Sequence, residues 1–496
     1  MQKKIIIVGG GVSGMSAGVY LCRNGYDVTI YEKHILAGGE CTGWTRKGVY
    51  IDGCAHWIVG TKDGSDVNLL WKEVGAIQPD TVIHDNEYFA QYIVGDDRFT
   101  FYADLEKLEQ EMLRVAPEDK RRIKSFIRTI KRYRHVVIPN KRPLDYNNVF
   151  QWISMGVRIV PMISSYLHVK KVAMGDYAKK FKSPVLRDVL GRIMNHDFNV
   201  HAFAYMIQAL SDGDAGLIKG GSSTFAKNIE KTYLDLGGKF AFNKEVKRIV
   251  VKDGKAAGIE LASGEIVEAD YVVGTCDAHH LFYDLLEDKH TPKFFSKRFE
   301  TPEDNPLIQS VFLAYSVPLE FARKLPRKLD FPLSDVKLGD YEFRHFVVLN
   351  HAFDETQNGD KACLAMLNDC DDSVYQYLKG LSKEEYRAVK EKLLETFRLE
   401  LAKGLELDEK QIESLDIATP LTYERYCNAY HGSYQSFVTT KRAGALMHKG
   451  VIKGLKNFYF SGQWLMPPGG LPIAVFTAKH AAMRLCHDDK VKFKAN

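Results

Sequence analysis

The sequence lacks the features that mark several specialised classes of protein. No two of its eight cysteines form a CxxC pair, so we expect neither a metal site nor a redox-active dithiol. No stretch of roughly eighteen uncharged apolar residues occurs, so we expect no membrane-spanning helix. The 68 Lys and Arg residues nearly balance the 63 Asp and Glu residues, which gives no argument for a nucleic-acid partner.

Further absences concern activity and location. The sequence contains no HExxH motif and no order of Ser, His and Asp that would indicate a hydrolase. It also contains no second GxGxxG unit, so we expect no separate nicotinamide-binding domain. The N-terminal MQKKIIIVGG lacks the apolar core and cleavage site of a signal peptide. The scattered cysteines suit a reduced chain, so we expect a cytoplasmic protein. The 496 residues, 45% apolar and 26% charged, instead suit an enzyme of two or three domains.

The first 32 residues contain a nucleotide-binding pattern. KIIIV, residues 4–8, predicts a buried parallel strand, and GGGVSG places three glycines in GxGxxG register. Gly9 makes the tight turn, Gly11 lets the backbone approach a diphosphate, and Gly14 lets the helix pack on the strand. The helix N-terminus, which includes Ser13, offers free N–H groups to phosphate. DVTIYE predicts the next strand, and its final residue Glu32 is placed to accept hydrogen bonds from a ribose. The pattern predicts a dinucleotide site.

Two later segments extend this pattern. Residues 237–277 alternate apolar and polar positions around the turn signals DG at 253–254 and SG at 263–264. This alternation predicts a β-meander, after which ADYVVGT returns to the parallel sheet. Near the end, YFSG predicts a strand and PPGGLPIAVFTAKHAA, residues 467–482, predicts a helix. The Pro and Gly residues at the start of that helix let another group approach it closely.

The motifs GGECTGW, DGCAHW and GQWLMPPGGLPIAV carry a resemblance to a known family. The sequence resembles flavoproteins with two dinucleotide-binding motifs, and is most similar to the phytoene desaturase and retinol saturase group of the amine oxidase superfamily. The resemblance implies FAD as the cofactor. It also implies an α/β fold, in which a Rossmann-like FAD-binding domain with a parallel sheet and a β-meander joins an α+β substrate domain.

The resemblance also assigns roles to individual residues. The glycine pair at 38–39 would lie against the diphosphate and ribityl chain, and Val246 would meet the adenine through its backbone. The last helix would point its N-terminus at the flavin ring, where its positive end stabilises the anionic reduced ring. The residues that the resemblance adds to the cofactor-binding set are Lys33, Gly39, Glu40, Val246, Gly462, Gln463, Leu471, Pro472 and Ile473.

Position 40 departs from the pattern of these flavoproteins, which usually carry Arg after the glycine pair. Glu40 stands there instead, and a carboxylate beside phosphate is unfavourable unless its charge is compensated. Lys33, Arg46 or a bound cation could provide that compensation. Alternatively, Glu40 turns toward the flavin and takes part in proton transfer. The sequence leaves both alternatives open.

The cofactor segments are separated by long insertions, which implies a discontinuous domain. We expect residues 1–75, 215–280 and 455–496 to form the FAD-binding domain, and residues 76–214 and 281–454 to form the substrate domain. We expect a monomer or a homodimer.

Two helical segments of the insertions bear on membrane contact. Residues 117–137 predict a helix with one apolar face and many Arg and Lys residues, interpreted as a core-packed helix with a solvated face. Residues 149–171 predict a more apolar helix, interpreted as a plain buried helix. The alternatives are an interfacial helix on anionic lipid for the first segment, and a tunnel lining or a membrane-surface segment for the second.

The resemblance implies hydride transfer between flavin N5 and a long apolar unsaturated substrate, such as a carotenoid, a retinoid or a fatty acid. The outcome would be desaturation, saturation or double-bond isomerisation. Candidate catalytic residues are His56, Glu40 and Tyr430, because each follows or precedes a predicted flavin-contacting segment. The alternatives are a flavin amine oxidase and a flavin-binding protein without turnover. LIQSVFLAYSVP, residues 307–318, lacks the lysine often found in amine oxidases, which disfavours the first of these.

Overall fold

A computed structural model of the chain describes residues 2–134, 136, 140–352, 359–442 and 447–496. Its centre is a sheet of five parallel strands, as the β-branched run at the N-terminus predicts. In spatial order these strands are Lys239–Ala241, Asp27–Tyr31, Lys4–Val8, Tyr271–Gly274 and Phe458–Phe460. They come from three separate stretches of the chain, and the α/β class is confirmed. The boundaries of the two domains stay a prediction.

Three helices pack with this sheet through apolar side chains. They are Val12–Arg23, Gly221–Asp235 and Leu471–Asp488. Their shared core includes the fully buried Ile7, Leu21, Phe225 and Val475. The predicted β-meander is confirmed as an antiparallel sheet of three strands, Val246–Lys252, Lys255–Leu261 and Ile266–Glu268. Parallel strands direct their carboxyl ends to one edge, where the glycine loop also lies.

A mixed sheet of seven strands forms the second large unit. In spatial order its strands are Glu413–Ala418, Gln309–Pro318, Lys361–Cys370, Tyr341–Asn350, Lys328–Leu338, Tyr88–Val94 and Asp97–Tyr102. One face packs Leu313, Phe331 and Met366 with residues of helix Lys383–Leu405. The opposite face, here called the front face, includes Ser310, Phe312, Lys328, Asp330, His345, Val347, Leu349, Leu367 and Asp369, because successive side chains of a strand alternate.

The front face packs against a hairpin that follows the glycine pair. Strands Gly43–Arg46 and Val49–Asp52 form this hairpin, and its Val49 and Ile51 share a cluster with Phe312 and Leu349. A small sheet places strand Ala215–Ile218 between Ile58–Val59 and Ile83–His84. The hairpin therefore joins the front face to the parallel sheet.

The remaining elements are helices and short turns. The helical insertion consists of Leu105–Val115, Pro117–Asp119, Lys120–Lys131, Leu144–Tyr146, Val149–Val169, Met174–Ala178, Pro184–Arg192 and Val200–Ser211. The others are Asp66–Glu73, His280–Leu285, Lys293–Glu300, Leu319–Ala322, Asp372–Lys379, Glu409–Gln411, Pro420–Cys427, Tyr430–Gly432 and Gln463–Leu465.

Helix Lys120–Lys131 packs its apolar side chains into the helical core and leaves its basic side chains exposed, as its periodicity predicts. Residues 135 and 137 of the predicted segment lie outside the described residues. Helix Val149–Val169 differs from expectation, because most of its described apolar side chains are exposed rather than buried. Its contacts concentrate near the C-terminal end, where Ser165 bonds Arg132 and Tyr166 contacts His201. Across the described chain, no helix combines the length and apolar character needed to cross a bilayer.

Candidate functional site

The glycine loop after the first strand combines tight packing with open surface. A Cβ atom on Gly14 would meet the Gly9 carbonyl oxygen at 2.0 Å, so the packing of the helix on the loop requires glycine there. Gly9 has φ +106°, which also requires glycine. Gly11 is different, because its φ is −72° and an added Cβ would come no closer than 4.0 Å to any atom. Neither packing nor conformation explains glycine at position 11, whereas the close approach of a diphosphate does.

Glu32 lies beside this loop at the end of the second strand. One carboxylate oxygen accepts a 2.7 Å hydrogen bond from the backbone N–H of Gly10, and the other accepts a 2.8 Å bond from the N–H of His34. Each oxygen can accept a further hydrogen bond, so both remain able to bind ribose hydroxyls. The carboxylate is thus fixed at the mouth of the loop.

The glycine pair packs directly on the glycine loop. The N–H of Gly38 donates to the carbonyl of Gly10 at 2.9 Å, and an added Cβ on Gly39 would lie 3.2 Å from the Gly11 Cα. Both glycines of the pair have positive φ. Two separate glycine-rich segments thus form one surface of mostly bare backbone, here called the glycine cradle (residues 9–14 and 38–39).

Glu40 extends from the cradle toward the C-terminal segment. Its carboxylate accepts a 3.4 Å hydrogen bond from the side-chain amide of Gln463. Burial raises the pKa of the Glu40 carboxyl to about 8, and the nearby carboxylate of Asp277 adds to this shift. The side chain still reaches solvent, so it lines a deep cleft rather than a closed core. At neutral pH the protonated, uncharged form predominates.

Neither side chain suggested to compensate Glu40 does so. The ammonium group of Lys33 donates to the carbonyl of Arg425 at 3.0 Å and to the side chain of Asn428. Arg46 forms a 2.9 Å ion pair with Asp416. No cluster of three metal-ligating side chains occurs among the described residues. Glu40 instead contacts Gln463, and both alternatives for position 40 stay predictions.

The C-terminal segment closes the cleft opposite the cradle. Gly470 has φ +93° just before helix Leu471–Asp488, and its N–H donates to the side-chain carbonyl of Gln463 at 3.1 Å. The Thr477 hydroxyl accepts from the N–H of Gly462 at 2.9 Å, which fixes the turn after the last parallel strand. The helix therefore starts at residues 471–473 beside Gln463, with its first N–H groups lacking intrahelical partners.

Two further contacts connect the assigned cofactor residues. The hydroxyls of Ser13 and Ser461 are hydrogen-bonded at 2.7 Å, which joins the first helix to the last parallel strand. Val246 begins the meander and is buried. The backbone N–H of Lys244, two residues earlier, donates to the Glu32 carbonyl at 2.9 Å. All the assigned positions thus lie on segments that converge on the glycine cradle, and their roles in binding stay predictions.

His56 and Tyr430 have different surroundings. His56 lies in a cavity at the front face, with its ring centroid 5.8 Å from that of His351. Burial, followed by the charges of His351 and Lys328, holds the pKa of His56 well below its ordinary value, so the ring is neutral. Tyr430 stacks on His279 at 4.0 Å and on His431 at 4.1 Å. The catalytic role of each residue stays a prediction.

The structure adds residues that the motifs did not predict. Asp277 follows the fourth parallel strand and accepts hydrogen bonds from the N–H groups of His280 and Tyr430, at 3.0 and 3.1 Å. Burial raises its pKa to about 6, against the effect of these two donors. Asp277 could have been found from the sequence, because it follows a predicted parallel strand and such residues lie at the edge of the sheet where ligands bind. On the front face, the Tyr434 hydroxyl bonds the Asp369 carboxylate at 3.3 Å, and no local pattern predicts this contact.

A larger cleft of about 750 Å³ lies elsewhere, at the edge of the mixed sheet. Its walls include Glu395, Arg398, Glu409, Lys410 and Glu413. None of its lining residues belongs to the glycine cradle or the C-terminal helix. This charged surface cleft is separate from the candidate site.

Comparisons with known proteins agree with this geometry. The chain is 22% identical to 4,4'-diapophytoene desaturase of Methylomonas sp over 99% of its own length and 97% of that relative. It is also 22% identical to chloroplastic prolycopene isomerase of Daucus carota, over 97% of its length and 80% of that relative. Among solved structures, an oxidoreductase from Methanosarcina mazei matches with a TM-score of 0.61 and 17% identity, covering 98% of this chain and all of that one.

The family comparison covers almost the whole chain. Residues 12–486 match the family described as flavin containing amine oxidoreductase. The bare backbone at Gly11 and the placement of Glu32 fit FAD, which is the cofactor. The chain is an FAD-dependent oxidoreductase related to carotenoid desaturases and an isomerase. It belongs to the flavin-containing amine oxidoreductase family.

Proposed function

We propose that the chain desaturates, saturates or isomerises a long apolar unsaturated substrate of carotenoid, retinoid or fatty-acid type. The desaturase and isomerase names of the relatives support this substrate class, at an identity that leaves the individual substrate open. Bound FAD supplies the hydride chemistry. The chain's own residues bind and orient the reactants, exclude water and handle protons.

The observation that carries this proposal is the exposed apolar surface of helix Val149–Val169. Val149 and Phe150 are 70% and 81% exposed. The exposed apolar residues of this helix are Val149, Phe150, Trp152, Ile153, Val157, Val160, Ile163 and Leu167. Contiguous apolar surface of this kind is costly in water and marks an interaction site. A substrate dissolved in a membrane gives the helix a reason to contact lipid.

The neighbouring basic helix supports a lipid surface as the partner. Arg132, at the end of helix Lys120–Lys131, donates a 3.1 Å hydrogen bond to Ser165 of the apolar helix. The exposed basic side chains at this end of the molecule are Lys120, Arg121, Arg122, Lys124, Arg128, Lys131, Arg132 and Arg134. Apolar insertion combined with attraction to anionic headgroups is the usual basis of peripheral binding. We propose that both helices face an anionic membrane.

We propose the following division of labour around FAD. Gly9, Gly11, Ser13 and Gly14, with Gly39, would hold the diphosphate at the start of the first helix. Glu32 would accept the ribose hydroxyls, the backbone near Lys33 and Val246 would flank the adenosine, and Gly462 would let the ribityl chain pass. Gln463 and the helix start at Leu471, Pro472 and Ile473 would face the flavin ring.

Proton transfer is assigned to residues of the cleft. Glu40, with its raised pKa, is protonated at neutral pH and can donate a proton near Gln463. His56, which is neutral, can accept one. Tyr430 is kept as a weaker candidate because its ring is held in a stack. The two-domain division, the oligomeric state and a cytoplasmic location also stay proposals.

Anaerobic flavin spectroscopy tests the proposed chemistry. FAD-loaded protein is mixed with phytoene, retinol or oleate in detergent micelles, and flavin absorbance and product composition are followed. We expect bleaching with a loss of two hydrogens, or a shifted double bond without a net change in mass. With flavin first reduced by dithionite, saturation would instead reoxidise the flavin and add two hydrogens to the substrate. Absence of all three results with every apolar substrate would contradict the proposal.

Vesicle flotation tests the membrane contact. We expect the protein to float with phosphatidylcholine vesicles that contain phosphatidylserine, and less with phosphatidylcholine alone. The double variant Phe150→Glu and Trp152→Glu should lose most of this binding. The matched control is Ile266→Glu, since Ile266 is 57% exposed but lies on the β-meander. Equal flotation of the two variants would argue against the assigned surface.

A second candidate function is amine oxidation. The cleft carries Tyr423 and Tyr434, with ring centroids 6.3 Å apart, and the Asp369 carboxyl group beside them. Aromatic rings with a carboxylate suit an ammonium group. Peroxide released on mixing with amines in air would favour this function. If neither amines nor apolar alkenes change the flavin, a flavin-binding protein without turnover becomes the better description.

A further inference from the structure

Lys328 lies on the front face in an unusual environment for a lysine. It begins strand Lys328–Leu338, where its neighbour Leu329 points into the apolar core on the other face. Its ammonium nitrogen lies 3.9 Å from the ring centroid of Phe89. Burial lowers the pKa of the Lys328 ammonium to about 8, which leaves the charged form predominant at neutral pH. The ring contact stabilises this charge only in part.

Nearby carboxylates are engaged by other groups. Asp330, two residues along the strand, forms an ion pair with Arg192 and lies 3.2 Å from His345. Asp369 binds the Tyr434 hydroxyl, and burial raises its pKa. Within the described ranges, Lys328 makes no ion pair shorter than 4.0 Å. Lys328 is half-buried, and the charges of Asp330 and Asp369 offset part of the cost of its burial by raising its pKa. Neither carboxylate pairs with it directly, so a ligand can still supply the anion.

The cavity beside Lys328 has room for a small anionic group. Its volume is about 40 Å³, about three times the roughly 10–15 Å³ that a cavity needs to hold one water molecule. His56 offers a buried Nδ1 atom that has no hydrogen-bond partner among the described residues. Leu210, Leu217 and Leu349 form apolar walls. A carboxylate would fit here, with hydrogen bonds from the ammonium group and the imidazole. In this binding mode His56 holds the acid, and proton transfer at the flavin is left to Glu40.

The path from this cavity across the front face is largely apolar. Leu349 lies opposite Lys328 in the adjacent strand, and Val347 lies opposite Leu367 in the strand after that. Phe312 pairs with Leu367 and its ring lies 5.9 Å from that of Trp44, on the hairpin after the glycine pair. Phe312 and Leu349 are buried against the hairpin, whereas Val347 and Leu367 are only half-buried. Val347 and Leu367 are therefore the apolar side chains that a hydrocarbon chain leaving the cavity can contact.

We propose that Lys328 binds the carboxylate of an unsaturated long-chain acid, whose hydrocarbon chain runs along the front face toward the flavin site. This inference rests on the proposed function and narrows its substrate class to apolar acids. The Lys328 ammonium group would repel an amine substrate, because both carry a positive charge. The cavity should therefore bind the acid in preference to a neutral polyene or an amine.

Titrations of the FAD-loaded protein with oleate, methyl oleate and oleylamine test this proposal. Binding is read from the perturbation of the flavin absorbance spectrum. We expect oleate to bind at least tenfold more tightly than the ester or the amine. Lys328→Met should weaken oleate at least tenfold and leave the ester within twofold, while Lys328→Arg should restore most of the oleate affinity.

The control variant is Lys337→Met, which removes an exposed lysine from the same strand and should leave oleate binding unchanged. FAD content and the midpoint of thermal unfolding show whether each variant is folded. If Lys328→Met does not fold, Lys328→Gln, which also removes the charge but stays polar, replaces it in the comparison of the acid with the ester. Equal binding of oleate and its ester would overturn the carboxylate site and leave the proposed function intact. Failure of all three ligands would overturn both.

Discussion

The glycine cradle and the front face are the two halves of the candidate site, connected through Glu40, Gln463 and Tyr434 and built in opposite ways. The cradle consists of backbone from two short segments, with contacts such as Gly38 to Gly10 and almost no side chains. The front face consists of side chains from strands that are far apart in the sequence, such as Phe312, Lys328 and Asp369. The cradle suits a constant cofactor, whereas the front face can change with the substrate. We therefore expect variants of the cradle to lose FAD and variants of the front face to lose substrate binding.

The largest effect is expected at the cradle, for Gly14→Ala. The added Cβ would meet the Gly9 carbonyl oxygen at 2.0 Å, and backbone on both sides cannot move without displacing the helix. We expect a loss of more than about 3 kcal/mol in the free energy of unfolding, together with loss of FAD. Urea denaturation and flavin absorbance measure the two effects.

The matched control for Gly14→Ala is Gly191→Ala. Gly191 lies in helix Pro184–Arg192, and an added Cβ would meet no atom within 4 Å. Because Ala favours helix over Gly, we expect a gain of about 0.5–1 kcal/mol there. If Gly14→Ala were as harmless as this control, the packing role of Gly14 would be disproved.

The difference between the halves also decides what a sequence reveals. The cradle residues lie within a few positions of one another, and Glu32 follows Gly14 by eighteen, so a local pattern predicts strand, loop and acceptor together. His345 becomes a neighbour of Asp330 only after the mixed sheet has formed, and a lysine at the start of a strand has no local signature. For helix Val149–Val169, apolar composition predicts the helix but not which of its side chains meet water.

A smaller but clear effect is expected for Glu32→Ala. The variant removes the predicted ribose acceptor and the two bonds that fix the N–H groups of Gly10 and His34. Hydrogen bonds to a charged group contribute about 1.5–3 kcal/mol, so the FAD dissociation constant should rise roughly 10- to 100-fold. FAD retained after gel filtration and fluorescence titration measure it.

Asp27→Asn is the control for Glu32→Ala. Asp27 begins the same strand and carries the same charge, but it pairs with Lys239 at the far end from the cradle. Its FAD affinity should stay within twofold of the parent. Unchanged FAD content in Glu32→Ala would rule out the assigned role of Glu32.

The pH dependence of stability isolates Glu40, which lies between the two halves. Its folded pKa of about 8 exceeds the ordinary value of 4.5, so the fold favours the protonated form. Its contribution is complete below pH 4.5 and is lost as the pH rises from there to about 8, because the native state binds more protons in this window. Glu40→Gln keeps the size and planar shape of the side chain but removes its titration.

Protein stripped of FAD shows this effect without the charge of the cofactor. Between about pH 5 and about pH 8, the parent should lose about 2 kcal/mol more unfolding free energy than Glu40→Gln, a discounted value because the side chain reaches solvent. Urea denaturation at both pH values measures it. Parallel pH profiles of parent and variant would show that Glu40 is not buried as described.

The smallest effect is expected for Tyr430→Phe, which removes only a hydroxyl. The ring stacks between His279 and His431, and the backbone N–H, which the substitution keeps, donates to Asp277. The hydroxyl makes no hydrogen bond to any part of the chain that the structure describes. FAD content should not change, and turnover of any substrate found should stay within twofold. Tyr430→Ala, which empties the stack, should instead cost about 3 kcal/mol of unfolding free energy. A more than tenfold loss of turnover in Tyr430→Phe with normal FAD content would instead establish that the Tyr430 hydroxyl is catalytic, and that its ring does more than pack between the two histidines.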